Sequence, residues 1–260
     1  MKHKNNIFVR TAVFMCIFFM TINSNVVFAN NSKHNLNEDL QKDNKKIIYL
    51  TFDDGPSKLT DKFLDILKEN NVKATFFLIG NQIEDNEQVV KRIYSEGHSI
   101  GLHTYTHKYR KIYKNGDSFI DEMNKSNELI KKVTGKESHL IRFPGGSRKH
   151  LNKSFLEKLH NNKFKIYDWN IQASDGINPK SPPDKLVKEA TKDPDKHNPV
   201  ILLMHCDYMH KNTCIALPEI IKYYKLQGYE FKTITEDTGE VYFPIRTNKA
   251  SSFLEKLFKN

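Results

Sequence analysis

Two adjacent carboxylates, Asp53 and Asp54, end an apolar run in Thr51-Phe52-Asp53-Asp54-Gly55-Pro56, and a His-x-x-x-His pair, His103 and His107, follows about fifty residues later. Charge at the carboxyl end of a buried strand is costly unless it binds something. Two neutral imidazoles and one carboxylate make a three-ligand site for a divalent metal ion. The second carboxylate is then free to take a proton from water. These residue types point to metal-dependent hydrolysis, with one carboxylate as ligand and its neighbour as base.

The elements that must position these groups alternate along the chain. Residues 47–52 read as a buried strand that Gly55-Pro56 stops, and 59–69 as a helix with Phe63, Leu64, Ile66 and Leu67 on one face. Further strands are expected at 74–79, 98–102, 140–142, 163–167, 200–204 and 229–234, with helices at 87–96, 119–134, 154–159, 185–191 and 217–226. Gly97, Gly135 and Gly228 stand where helices should end. Such alternation implies a parallel sheet with helices outside it, as an α/β barrel or a doubly wound sheet. Asp53, Asp54, Arg142 and His205 all follow strand runs. Barrel enzymes collect their chemistry at the carboxyl ends of strands, so a barrel is expected.

At 260 residues the chain holds one domain with extensions. Its formal charge of +10 suits a polyanion. Nucleic acid and an anionic wall or membrane surface are the candidates, but the lysines are scattered among asparagines without an Arg-rich block, which reads as a general compositional bias rather than a nucleic-acid groove. A basic stretch at 1–10, an apolar run at 11–22 and Val27-Phe28-Ala29 predict a secretory signal over 1–29, with a short anchor as the alternative. Residues 30–44 read as a polar linker, 45–240 as the folded domain, and 241–260 as a tail with a small amphipathic helix at 253–258. Cys16 lacks the small preceding residues of a lipidation site. Beyond the signal only Cys206 and Cys214 remain, either bridged or as two thiols.

Five motifs then stand in order: Thr51 to Pro56; His103-Thr104-Tyr105-Thr106-His107; Arg142-Phe143-Pro144-Gly145-Gly146; Trp169-Asn170-Ile171-Gln172-Ala173-Ser174-Asp175; and Leu203-Met204-His205. Over residues 45–240 the chain resembles the polysaccharide deacetylase family, the NodB homology domain of carbohydrate esterase family 4. The resemblance implies a distorted (β/α)7 barrel that removes acetyl groups from a polysaccharide. Asp54, His103 and His107 would hold one divalent ion, usually zinc, though cobalt or nickel would use the same ligands. Asp53 would be the base, with Arg142 keeping it ionised. His205 would protonate the departing amine and Asp175 would orient it. The Gly145 N–H would face the oxyanion, while Trp169 and Leu203 would line the acetyl pocket.

The match departs in two places. Asp175 is followed by Gly176 where members often carry Trp or Ala, and Asp168 is a competing carboxylate. Cys206 stands where Asp commonly follows the histidine, and reads as a packed residue before a metal-binding or oxidisable thiol. His98, His139, His150, His160, His197 and His210 match no motif, and Tyr49, Tyr105 and Tyr109 read as packing before sugar stacking. The implied function is an exported monomeric deacetylase of cell-wall peptidoglycan, acting on N-acetylglucosamine and held near anionic wall polymers. It would meet the membrane only if the signal stays attached. Alternatives are the deacetylation of chitooligosaccharide, poly-N-acetylglucosamine or acetylxylan, or a silent wall-glycan-binding protein. A nucleic-acid partner fits worst.

Overall fold

The computed structural model describes residues 45–245. The expected signal over 1–29, the linker up to residue 44 and the terminal helix at 253–258 lie outside the described residues. Among the described residues eight strands form one sheet: β1 (Ile47–Gly55), β2 (Thr75–Leu78), β3 (Ser99–Leu102), β4 (Leu140–Ile141), β5 (Lys165–Ile166), β6 (Ile171–Gln172), β7 (Val200–His205) and β8 (Glu230–Lys232). The order is β5-β4-β3-β2-β1-β7-β6, β8 pairs with the amino end of β1, and the pairings are parallel. The sheet curls into a half-barrel, the distorted barrel that the family resemblance implies, and no ladder joins β5 to β6 among the described residues.

β1 is buried almost throughout, as a central parallel strand must be. Its alternation sorts side chains to two faces. Ile48, Leu50 and Phe52 enter the main core beneath the helices, whereas Tyr49 joins Phe77, Leu140, Tyr167, Ile201 and Ile234 in a second cluster. Thr51 and Asp53 share the face of Tyr49, so the strand delivers polar groups where that second face runs out of apolar side chains.

Among the described residues seven helices accompany the sheet: α1 (Thr60–Glu69), α2 (Glu87–Ser95), α3 (Tyr109–Ile112), α4 (Gly116–Thr134), α5 (Lys153–Asn161), α6 (Pro183–Ala190) and α7 (Lys211–Leu226). α4 starts where the Asn115 side chain accepts the Ser118 N–H at 2.8 Å and ends at Gly135, whose φ of 76° suits glycine. α7 begins six residues before the expected 217 and carries Pro218 inside it. Thr213, Cys214 and Leu217 bury a face across it, and that packing outweighs the hydrogen bond the proline removes. α3 and β6 were not expected; at four and two residues they are too short to leave a periodic signal.

The packing also runs past the expected boundary at 240. Val241 bridges to Tyr167, and the Phe243 N–H donates to Asp168 at 2.8 Å, so residues 241–245 are part of this domain. Cys206 and Cys214 are free, buried thiols. Among the described residues no helix is long and apolar enough to cross a membrane.

Candidate active site

Asp53 continues the alternation of β1 and is 2% exposed. Asp54 breaks it: its φ of 66° is left-handed and turns the second carboxylate to the same end of the sheet. The histidines follow β3 in a loop, not on a helical turn, and Thr104 (φ 66°) and His107 (φ 53°) are left-handed too. Such residues cost about 1–3 kcal/mol each and persist where their surroundings over-determine them. Here the Thr104 hydroxyl accepts the His107 N–H at 3.1 Å and closes the loop.

The resulting cluster has the dimensions of a metal site. Asp54 Oδ1 lies 3.3 Å from His107 Nε2 and 3.5 Å from His103 Nε2. Tetrahedral ligands about 2.1 Å from an ion stand about 3.4 Å apart. The oxygen is buried and makes no hydrogen bond within the protein, which is costly for a carboxylate unless a cation completes it. The Arg142 carbonyl lies 2.9 Å from His103 Nδ1, so that nitrogen carries the proton and Nε2 turns its lone pair to the cluster. Burial pushes the His103 pKa down to about 3, and the ring stays neutral. The donor set therefore fits a divalent ion.

Arg142 is fully buried. Its Nη1 donates to Asp53 Oδ1 at 2.9 Å and to Thr51 Oγ1 at 2.7 Å, its Nε to the Tyr167 carbonyl at 2.7 Å, and its Nη2 to the Asp168 carbonyl at 3.2 Å. Thr51 passes its own proton to the Leu202 carbonyl at 2.7 Å, which leaves its lone pairs for Arg142. Burial pushes the Asp53 carboxyl up, while the charge and hydrogen bond of Arg142 and the charge of His205 pull against it. Its second oxygen faces His103 Nε2 at 3.7 Å. Thr51 was not singled out in the sequence; its position two residues before Asp53, on the same strand face, was the available signal.

His205 ends β7 in register with Asp53. Asp175 Oδ1 lies 3.1 Å from its Nδ1, and Asp175 Oδ2 accepts the His205 N–H at 2.8 Å and the Thr213 hydroxyl at 2.9 Å. Asp168 is elsewhere, accepting the Ser147 N–H at 3.0 Å and the Phe243 N–H. Burial works against a charged His205, but Asp175, helped by Asp53 and Asp54, outweighs it and pushes the pKa up to about 9. Gly176 packs directly on this ring: a Cβ there would stand 2.3 Å from His205 Cε1. His210 also stacks on this ring with ring centres 5.2 Å apart, its Nδ1 held 2.6 Å from Asp207. Asp175, His205 and His210 form a second acidic and imidazole cluster, but both Asp175 oxygens are already taken by N–H and O–H donors. Cys206 lies behind Asp53, where burial pushes its thiol well up, and packs as a small apolar residue.

Gly145 follows β4 with a φ of 74°, and the Tyr109 hydroxyl lies 2.7 Å from where its Cβ would be. Leu203, 5% exposed, sits beside Thr51 in the ladder. Trp169 packs edge-on to Phe243 with ring centres 5.3 Å apart and lies 5.8 Å from the Arg142 guanidinium. On the opposite side Asp54 and His107 open into a cleft of about 770 Å³ lined by Asn81, Gln82 and Tyr208. Tyr49 is buried, and Tyr105 lies under Lys125, so of the three tyrosines only Tyr109 flanks the site, its ring 5.8 Å from that of His107.

The polysaccharide deacetylase profile matches residues 40–166. A peptidoglycan-N-acetylglucosamine deacetylase of Bacillus cereus is 38% identical over 209 residues, covering 77% of this chain and 72% of its own. The peptidoglycan-N-acetylmuramic acid deacetylase PdaA of Bacillus subtilis is 34% identical over 74% of this chain and 71% of its own. Among solved structures, the polysaccharide deacetylase Bc1974 from Bacillus cereus superposes with a TM-score of 0.67 at 38% identity, over 77% of this chain and 96% of that one. The catalytic domain of the Eubacterium rectale peptidoglycan N-acetylglucosamine deacetylase gives 0.70 at 31% identity, over 78% and 94%. Sequence and fold agree over the same three quarters of the chain, and it belongs to the polysaccharide deacetylase family, carbohydrate esterase family 4.

Proposed function

We propose that the protein is an exported deacetylase that hydrolyses the N-acetyl groups of peptidoglycan N-acetylglucosamine. The observation that carries this reading is the placement of two ion pairs, Asp53 with Arg142 and His205 with Asp175, around Asp54, His103 and His107. These three would hold a divalent ion, zinc by their chemistry, which when bound lowers the pKa of water and polarises a carbonyl.

The remaining work falls to the chain. Asp53, fixed on one oxygen by Arg142, takes a proton on the other as water oxygen attacks the acetyl carbon. The Gly145 N–H faces the oxyanion of the tetrahedral adduct. His205 gives its proton to the nitrogen as the C–N bond breaks, so acetate and a free sugar amine result. A base that must be ionised and an acid that must be protonated at one pH need opposite neighbours, and Arg142 and Asp175 supply them. Leu203 and Trp169 border the space left for the methyl group. The charge of +10 favours residence near anionic wall polymers, a hold that salt weakens.

The test is acetate release from peptidoglycan and from chitooligosaccharides, after chelation, after zinc is restored, and with Asp53→Asn. Zinc-dependent release from peptidoglycan, lost in the variant, is expected. Preference for chitooligosaccharide would move the substrate. Zinc binding without release from N- or O-acetylated glycans would refute the enzyme reading in favour of a silent glycan binder.

A further inference from the structure

The loop between the two histidines carries a buried anion that the reaction does not use. Glu122, on α4, is 4% exposed. Its Oε2 accepts the Thr106 N–H at 2.7 Å, the Thr106 hydroxyl at 2.9 Å and the Tyr105 N–H at 3.1 Å. Its Oε1 meets Lys111 Nζ at 2.8 Å, on the outer side, where Lys111 is 59% exposed. The loop carbonyls are held from the other direction: Gly80 N–H donates to Thr104 and Asn81 N–H to Tyr105, each at 2.9 Å. A Cβ at Gly80 would lie 2.5 Å from Ser126 Oγ and 2.7 Å from the Tyr105 ring, so α4 and the loop close on it without room for a side chain.

This arrangement answers a question that the ligands leave open. Left-handed backbone at Thr104 and His107 favours relaxation to another loop shape, and relaxation would carry His107 away from Asp54. Three hydrogen bonds to one ionised carboxylate oppose it, and bonds to a charged acceptor are roughly twice as strong as neutral ones. We propose that Glu122 is a positioning residue for the metal site, holding the 103–107 loop in the one shape that presents His103 and His107 to the same point as Asp54. The inference rests on reading these three residues as metal ligands.

The test is zinc affinity, measured by competition with a chromophoric chelator on the metal-free full chain. Glu122→Met keeps the length of the side chain but offers the loop no oxygen acceptor. It should weaken zinc binding about 10- to 100-fold, the range for residues that orient ligands, with an unchanged circular dichroism spectrum. A merely structural role would lower the melting temperature of the metal-free protein and leave the affinity alone; affinity within threefold of wild type overturns the proposal. Lys111→Met removes only the outer partner and should stay within threefold. If it weakens zinc as much as Glu122→Met does, charge pairing rather than loop anchoring is at work and the proposal fails. Should Glu122→Met not fold, Thr106→Val removes one of the three bonds, and unchanged affinity there overturns the proposal equally. Asp54→Asn separates the two layers. If zinc binding survives it, the ligand reading itself is wrong; if it is lost there but intact in Glu122→Met, only the role of Glu122 is.

Discussion

Replacing Gly176 by alanine tests the acid side of the site with a single methyl group. The added carbon would stand 2.3 Å from His205 Cε1, 2.8 Å from Nε2 and 3.0 Å from Nδ1, where carbon atoms prefer about 3.5–4.0 Å. Relief requires more than about 1 Å of movement by the ring or the backbone. The ring cannot yield freely, because Asp175 sits 3.1 Å from its Nδ1 and His210 stacks on it. The backbone is no freer, because the Gly176 N–H donates to Asp175 at 2.8 Å. Either shift breaks the alignment of His205 with Asp175. A displacement of about 1 Å in a catalytic group costs about 100-fold in rate, and overpacking costs about 1–3 kcal/mol of stability. Acetate release from chitooligosaccharide by Gly176→Ala should fall about 100-fold in kcat, while zinc affinity stays at the wild-type value, since the clash lies on the His205 side. Activity within threefold of wild type, in a folded and zinc-loaded variant, would refute the assignment of His205 as the acid in this geometry.

Four further outcomes follow from the same geometry. Asp175→Asn removes the group that pushes His205 up to about 9, so the alkaline limb of the kcat/KM profile should move to lower pH, toward or below about 6.5; an unmoved limb would assign it to another group. The same raised pKa makes protonated His205 a source of stability that is complete below its unfolded value and lost as pH rises through about 9, which urea unfolding across that range checks. Arg142→Met leaves Asp53 buried without its cation and should cost about 3–5 kcal/mol in urea unfolding, besides abolishing activity. Zinc at about 100 times its Kd should stabilise the chain by about 2.7 kcal/mol. Calorimetry should therefore show the melting temperature falling by about 5–10 °C on chelation, with no such shift in Asp54→Asn.

The sequence alone determined the alternation of the sheet, the burial of β1 and the identities at its end, because each is a local property. An apolar run with two terminal carboxylates is legible wherever it folds, and so is a pair of histidines four residues apart. Other features depended on partners far along the chain. Asp168 directly precedes Trp169 and Asp175 follows it by six residues, and only the turn at Ser174–Gly176 carries Asp175 to His205 while Asp168 ties Ser147 to Phe243. Chain periodicity could not mark Glu122, a charged residue on an otherwise ordinary helix, since its role comes from a loop that reaches it through space. The left-handed turns at Asp54 and His107 were equally hidden, because side-chain identity does not require them there. At His107 the Thr104 hydroxyl, and at its neighbour Thr106 the Glu122 carboxylate on α4, compensate that strain. Composition and pattern thus set which groups are available, whereas long-range packing decided which of them meet, since proximity between distant residues is paid for by the whole core.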